Sequence, residues 1–136
     1  MYNKNGMTLI EVMISLVILM FVSLAVLQTA MVGMRTNLQN SMRDEAVNVV
    51  DLRMNELHSM ATGTLFDGGD LSTVPNPKTT VEPVISRTLR GASVTYTPTR
   101  TVSLIDTNTK QITMSASWLF SGQTYTHSVT SIMRRL

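Results

Sequence analysis

From Val12 to Met34 the chain carries no charged residue, a run of 23 positions made chiefly of Val, Ile, Leu and Met. An α-helix rises about 1.5 Å per residue, so about 20 apolar residues cross a hydrocarbon core of about 30 Å. The run is long enough to span. Only Ser15, Ser23, Gln28 and Thr29 interrupt it, no proline breaks it, and Gly33 stands at its far end. A chain with this segment is expected to enter a membrane at least once. Lys4, ahead of the run, favours a cytoplasmic N-terminus, which would place the remainder outside the cytoplasm.

Three readings of the N-terminus compete. A secretory signal peptide would be cut at a small-x-small site such as Ser23-Leu24-Ala25, releasing a chain that starts at Val26. Against it, Glu11 puts a carboxylate at the head of the apolar region, and that region continues past Ala25 to Met34. A plain membrane anchor explains the length but not Glu11. An ionised carboxylate deep in a spanning helix costs about 2.5–3.5 kcal/mol on insertion scales. Glu11 lies about 6 Å along a helix from Met7, so one reading makes it an end-of-helix acid among headgroups. In the other, it pairs with a positive group once the helix leaves lipid. A cut after Gly6 would create that charge at the Met7 amine, and a neighbouring copy could bring it to Glu11 in a bundle of low dielectric.

Gly6-Met7-Thr8-Leu9-Ile10-Glu11, followed at once by Val12-Met13-Ile14-Ser15-Leu16-Val17-Ile18-Leu19, resembles the prepilin cleavage and methylation motif of type IV pilin-like proteins. The short leader Met1 to Gly6 with its Lys4 is similar too. The resemblance implies cleavage between Gly6 and Met7 by a prepilin peptidase, N-methylation of Met7, and a docking role for Glu11. It also implies an inner-membrane assembly platform and other pilin or pseudopilin subunits as partners. Lipid would surround the helix before assembly, and the subunit would end in the periplasm or in a cell-surface filament. Many major pilins have a proline about two-thirds of the way along this helix, where Gln28 stands here, and the mid-helix glycine is also missing. That departure points to a minor pilin or a pseudopilin of type II secretion. The alternative is an exported or anchored β-domain that captures a ligand or DNA outside any filament.

Beyond Arg35, apolar residues recur at Leu38, Met42, Ala46, Val50, Met54, Leu57 and Ala61, close to the helical repeat. The same helix is expected to continue as an amphipathic one and to stop near Thr62-Gly63. Phe66 to Pro83 reads as a loop, with Asp67-Gly68-Gly69-Asp70 and three prolines. Asp67 and Asp70 lack the ligand spacing of a calcium loop, so a turn is expected there. Ile112, Met114, Ala116, Trp118 and Phe120 alternate with polar residues as in a half-buried strand. Ser121-Gly122-Gln123 offers a tight hairpin into Thr124–Met133, with Tyr125, Val129 and Met133 inward. Val94 and Tyr96 mark a strand that Pro98 should limit or place at an edge, and Ile85–Leu89 is a fourth candidate. The late Trp118 strand, the Gly-centred hairpin and the final strand ending in Arg are similar to PilV-type minor pilins and to a minor pseudopilin.

The expected fold is α+β: a long N-terminal helix packed on an antiparallel sheet of about four strands. The expected divisions are a leader 1–6, a membrane or filament-core helix 7–34, its amphipathic continuation 35–61, and a loop and β-domain 62–136. No cysteine is present, which removes disulfides and thiolate metal sites. His58 and His127 fall in different elements, so a histidine metal pair is not expected; His58 suits a solvated helix end and His127 a core or rim position. No nucleophile-elbow or Ser-x-x-Lys signature is visible, and neither catalysis nor a cofactor or metal is expected. A net charge of +2 is small for a nucleic-acid partner. Arg87, Arg90, Arg100, Lys110, Arg134 and Arg135 read better as solvated sheet-edge charges.

Overall fold

The computed structural model describes residues 8–60 and 66–135. Helix α1 runs Leu9–Ser59 as one element. Ala61 and the expected stop at Thr62-Gly63 lie outside the described residues. Five strands follow: β1 Lys78–Val81, β2 Ile85–Leu89, β3 Ala92–Asp106, β4 Thr109–Phe120 and β5 Gln123–Arg134. The protein is α+β, a long helix packed on a five-stranded antiparallel sheet. By internal packing the chain divides into two units, one through Asn37 and one from Leu38.

The first unit, among its described residues, is helix with side chains open on every side. Leu19, Phe21 and Val26 are each more than half exposed, as are most of their neighbours. A helix apolar all round has no face suited to water, only surroundings of lipid or other helices.

In the second unit the helix is amphipathic. Met42, Ala46, Val49, Val50, Met54 and Leu57 are buried, a stripe at the 3.6-residue repeat. They form one cluster with Val94, Tyr96, Val102, Ile112, Met114, Ala116, Trp118 and Met133, which alternate along β3, β4 and β5 and so share one sheet face. The Tyr96 hydroxyl crosses this core and donates to the Met42 carbonyl at 2.9 Å. The opposite face carries the Ser and Thr series, with cross-strand hydroxyl pairs such as Thr79–Thr101 at 3.0 Å and Thr113–Thr130 at 2.9 Å.

The sheet has one strand more than the expected four, and the segment expected to be loop supplies it. Between Phe66 and Pro83 lie a 3₁₀ turn at Gly69–Leu71 and strand β1. Four residues among three prolines give too short a pattern to be read as a strand. β1 and β2 lie end to end along the same edge of β3, β1 opposite Thr99–Val102 and β2 opposite Ala92–Tyr96.

Pro98 does not end its strand. It sits inside β3, paired with Ala116 on one side and facing the break between β1 and β2 on the other. The Glu82 amide donates to the Pro98 carbonyl at 2.9 Å. A strand residue points its N and its C=O to the same side, so the N–H that proline lacks would have faced that break. The edge strand is interrupted where the proline cannot donate.

Two hairpins are two-residue turns with positive φ at both positions, as the right-handed strand twist requires: Arg90-Gly91 (49° and 85°) and Ser121-Gly122 (51° and 78°). The second was expected; the first was legible only as a strand end at Gly91.

Tyr96 offers a test of this core. Its burial, and secondarily the charge of Glu45, push its hydroxyl up to about 12. The unfolded phenol ionises at about pH 10, so this group's stabilisation is whole below that pH and is lost as pH rises towards 12. Tyrosinate absorbance of the full chain in detergent should show one late step near pH 12, accompanied by unfolding, and Tyr96→Phe should lack it. A single step near pH 10 for all tyrosines would contradict the burial.

Candidate functional site

The polar interruptions of the apolar run are mostly hidden inside its own helix. Ser15 Oγ donates to the Glu11 carbonyl at 2.8 Å, Ser23 to Leu19 at 2.8 Å and Thr29 to Ala25 at 3.0 Å, each four residues back. Thr36 does the same towards Val32. A hydroxyl that returns to the i−4 carbonyl brings no unsatisfied donor into lipid. From Leu9 to Met34, the polar side chains left without such a partner are Glu11 and Gln28.

Glu11 sits in the first turn of α1, its amide donating to the Thr8 carbonyl at 3.0 Å. A carboxylate there is favoured by the positive end of the helix dipole, though by less than burial in hydrocarbon would cost. Its position divides the helix asymmetrically: everything C-terminal to it is uncharged until Arg35. Thr29 follows Glu11 by 18 residues, five turns, so Glu11, Ser15, Ile18, Val22, Ala25 and Thr29 fall on one face. Gly6 and Met7, the other two expected processing residues, lie outside the described residues.

The sheet domain holds no comparable site for catalysis or metal. Among the described residues no group of three or more His, Asp or Glu could hold a metal ion. The His58 ring nitrogen Nε2 bonds the Ser131 hydroxyl at 3.0 Å, so the helix end is tied to β5. His127 is half-buried on the inward side of β5.

Two of the six basic residues expected to be solvated are buried. Arg100 is 5 % exposed and pairs with Glu82 at 2.6 Å and Asp70 at 3.0 Å. Lys110 is 2 % exposed, donates to the carbonyls of Leu71 at 2.8 Å and of Phe66, and lies 4.4 Å from the Phe66 ring centre. Burial pushes the Lys110 ammonium below its ordinary pKa. Both residues pin the 66–82 segment to the sheet. Asp67 and Asp70, the pair that invites a calcium reading, are instead the acids of this arrangement: Asp67 bonds Arg135. Strand parity could have found them, because positions 100 and 110 fall in register with the inward series Val94–Val102 and Ile112–Trp118.

The model of the prokaryotic N-terminal methylation motif matches residues 1–27. The N-terminus is type IV pilin-like. This motif implies, in general terms, a prepilin peptidase and other pilin subunits as partners, and with the apolar helix it fits anchoring in the inner membrane. It suggests a structural protein, not an enzyme. Neither the curated proteins nor the solved structures contain a match to the chain, so the pilin-like character rests on the segment that includes Glu11.

The buried ion network gives a test. Arg100→Met should leave Glu82, 10 % exposed, with only Arg53 at 3.3 Å. Breaking a buried pair costs about 3–5 kcal/mol, and the remaining arginine places the expected loss near the lower end. Chemical denaturation of the full chain in detergent measures it; a loss below about 1 kcal/mol, the level of a surface pair, would contradict the assignment.

Proposed function

We propose that the protein is a minor pilin or pseudopilin, built into a type IV pilus or the related filament of type II secretion. It is made with the leader Met1–Gly6, cut between Gly6 and Met7 by a prepilin peptidase, and methylated on the Met7 amine. An inner-membrane assembly platform then moves its helix from lipid into a bundle of like helices. The soluble domain starts on the far side of the inner membrane and remains in the periplasm or on the cell surface after assembly.

The observation that carries this reading is Glu11. The hydroxyls of the span are self-satisfied, whereas the one carboxylate has no partner within the helix. A neighbouring subunit's N-terminal amine has the charge to complete it. In a low-dielectric bundle the pair is favourable only if both members are present, so the interaction also sets the axial register of one helix on the next. Small residues help the helices approach: Ala25, Thr29 and Gly33 recur at four-residue intervals. A Cβ placed on Gly33 would meet nothing within 4 Å, so the surface there is open to a neighbour. The unbroken helix from Val12 to Val32 supports a minor over a bulk subunit, because it lacks the proline and glycine that many bulk subunits carry.

Glu11→Val tests the docking role. Cleavage after Gly6 should persist, seen as the shortened chain, while the amount recovered in sheared filaments should fall at least about tenfold, as expected for losing a pair worth about 1.4 kcal/mol or more. Unchanged recovery in filaments would refute the pairing.

A further inference from the structure

The side of the domain where α1 passes the β4–β5 hairpin holds a cavity of about 320 Å³, lined by Gln39, Asn40, Arg43, Trp118, Tyr125 and His127 with Thr126 at its edge. Nothing in filament assembly through the N-terminal helix uses it. Its composition is unlike the rest of the core. The helix contributes two carboxamides and a guanidinium, and the sheet contributes an indole, a phenol and an imidazole. Trp118 and Tyr125 stand with ring centres 5.9 Å apart and planes 23° apart, a stacked pair that forms a rigid aromatic wall.

Three observations define what such a cavity takes. No carboxylate lines it, whereas Arg43 does, and Arg43 makes no ion pair among the described residues. By contrast Arg53, Arg87, Arg100 and Arg135 are all ion-paired. Lys78, Arg90 and Arg134 also make no ion pair among the described residues, but none of them lines the cavity, so a ligand held there meets one cation and needs one negative group. Second, Trp118 is 5 % exposed and its Nε1–H, fully inside the fold, has no acceptor. Indole N–H groups this deep are normally paired; this one is closed off from the cavity, so the ring surface that the wall offers is that of the half-buried Tyr125 stacked on Trp118. Third, Gln39 and Asn40 each offer a donor and an acceptor from one side chain, which matches hydroxyl groups on adjacent carbons, and an aromatic wall suits the C–H face of a sugar ring.

We propose that this cavity binds a single acidic sugar residue, a hexuronate, with its carboxylate on Arg43, its hydroxyls on Gln39, Asn40 and His127, and its ring against the Tyr125–Trp118 wall. Trp118 is the only tryptophan in the chain, so its emission reports on the site directly. The full chain, held in a non-ionic detergent without sugar headgroups, is titrated with galacturonic acid trimer, with the uncharged galactose trimer, and with a short oligothymidylate. A saturable change in emission is expected with the uronate. Arg43→Gln, a change at an exposed helix position, is expected to weaken it at least about tenfold, the scale of one charge-assisted contact. His127→Gln is expected to weaken it less, since an amide can replace a neutral imidazole as donor. Absence of a saturable response to the uronate, an equal response to the galactose trimer, or unchanged binding by Arg43→Gln would overturn the proposal. Tighter binding of the oligothymidylate would also overturn it and assign the cavity to nucleic acid.

Discussion

A single helix in this protein has to satisfy two different surroundings, and everything else follows from how its sequence divides between them. Up to Met34 no charged group follows Glu11, and the hydroxyls close onto the backbone of their own helix, which leaves a surface apolar on every side but for Gln28. From Leu38 the buried apolar residues narrow to a stripe, Met42 to Leu57, and most of the other positions turn polar or charged. A uniform surface can be solvated only by lipid or by other such helices; a stripe can be buried by one sheet face. The stripe and the inward sheet face share one buried cluster. The Tyr96 hydroxyl bonded to the Met42 carbonyl adds a polar contact across an otherwise apolar interface.

The sheet in turn is arranged so that its awkward residues cost little. Pro98 lies in the middle of the longest strand, but its missing N–H faces a break in the edge. Arg100 and Lys110 point to the inward side and would be expensive there alone; carboxylates and carbonyls of the 66–82 segment complete them. A segment with few apolar residues is thereby ordered by ionic and carbonyl contacts, with Phe66 and Leu71 as its buried anchors.

Much of this was legible in the residues. Long, strongly periodic stretches carry their structure on their face: the α1 stripe and the alternation Ile112–Trp118 fall where periodicity puts them, and Val49 was the one buried helix position overlooked. The rest depended on partners distant in sequence. β1 has only four residues and exists because β3 offers it an edge. Pro98 looked like a strand end because local rules describe the residue, not the strand beside it. Arg100 and Lys110 are residue types expected in solvent, but their strand parity is inward, and they are buried because the 66–82 segment supplies their partners. At the N-terminus, physics gives a long apolar helix with an unpaired carboxylate, and the methylation motif over residues 1–27 makes that N-terminus type IV pilin-like.

The proposed role of Glu11 depends on a helix freed of its leader at Met7, because only a cut subunit offers the amine that a neighbouring subunit's carboxylate can meet. Intact-mass analysis of the chain recovered from membranes and from sheared filaments tests it most directly. The account requires a mature chain that begins at Met7 and carries one added methyl group. A chain that begins at Val26, or one that still begins at Met1, would contradict it.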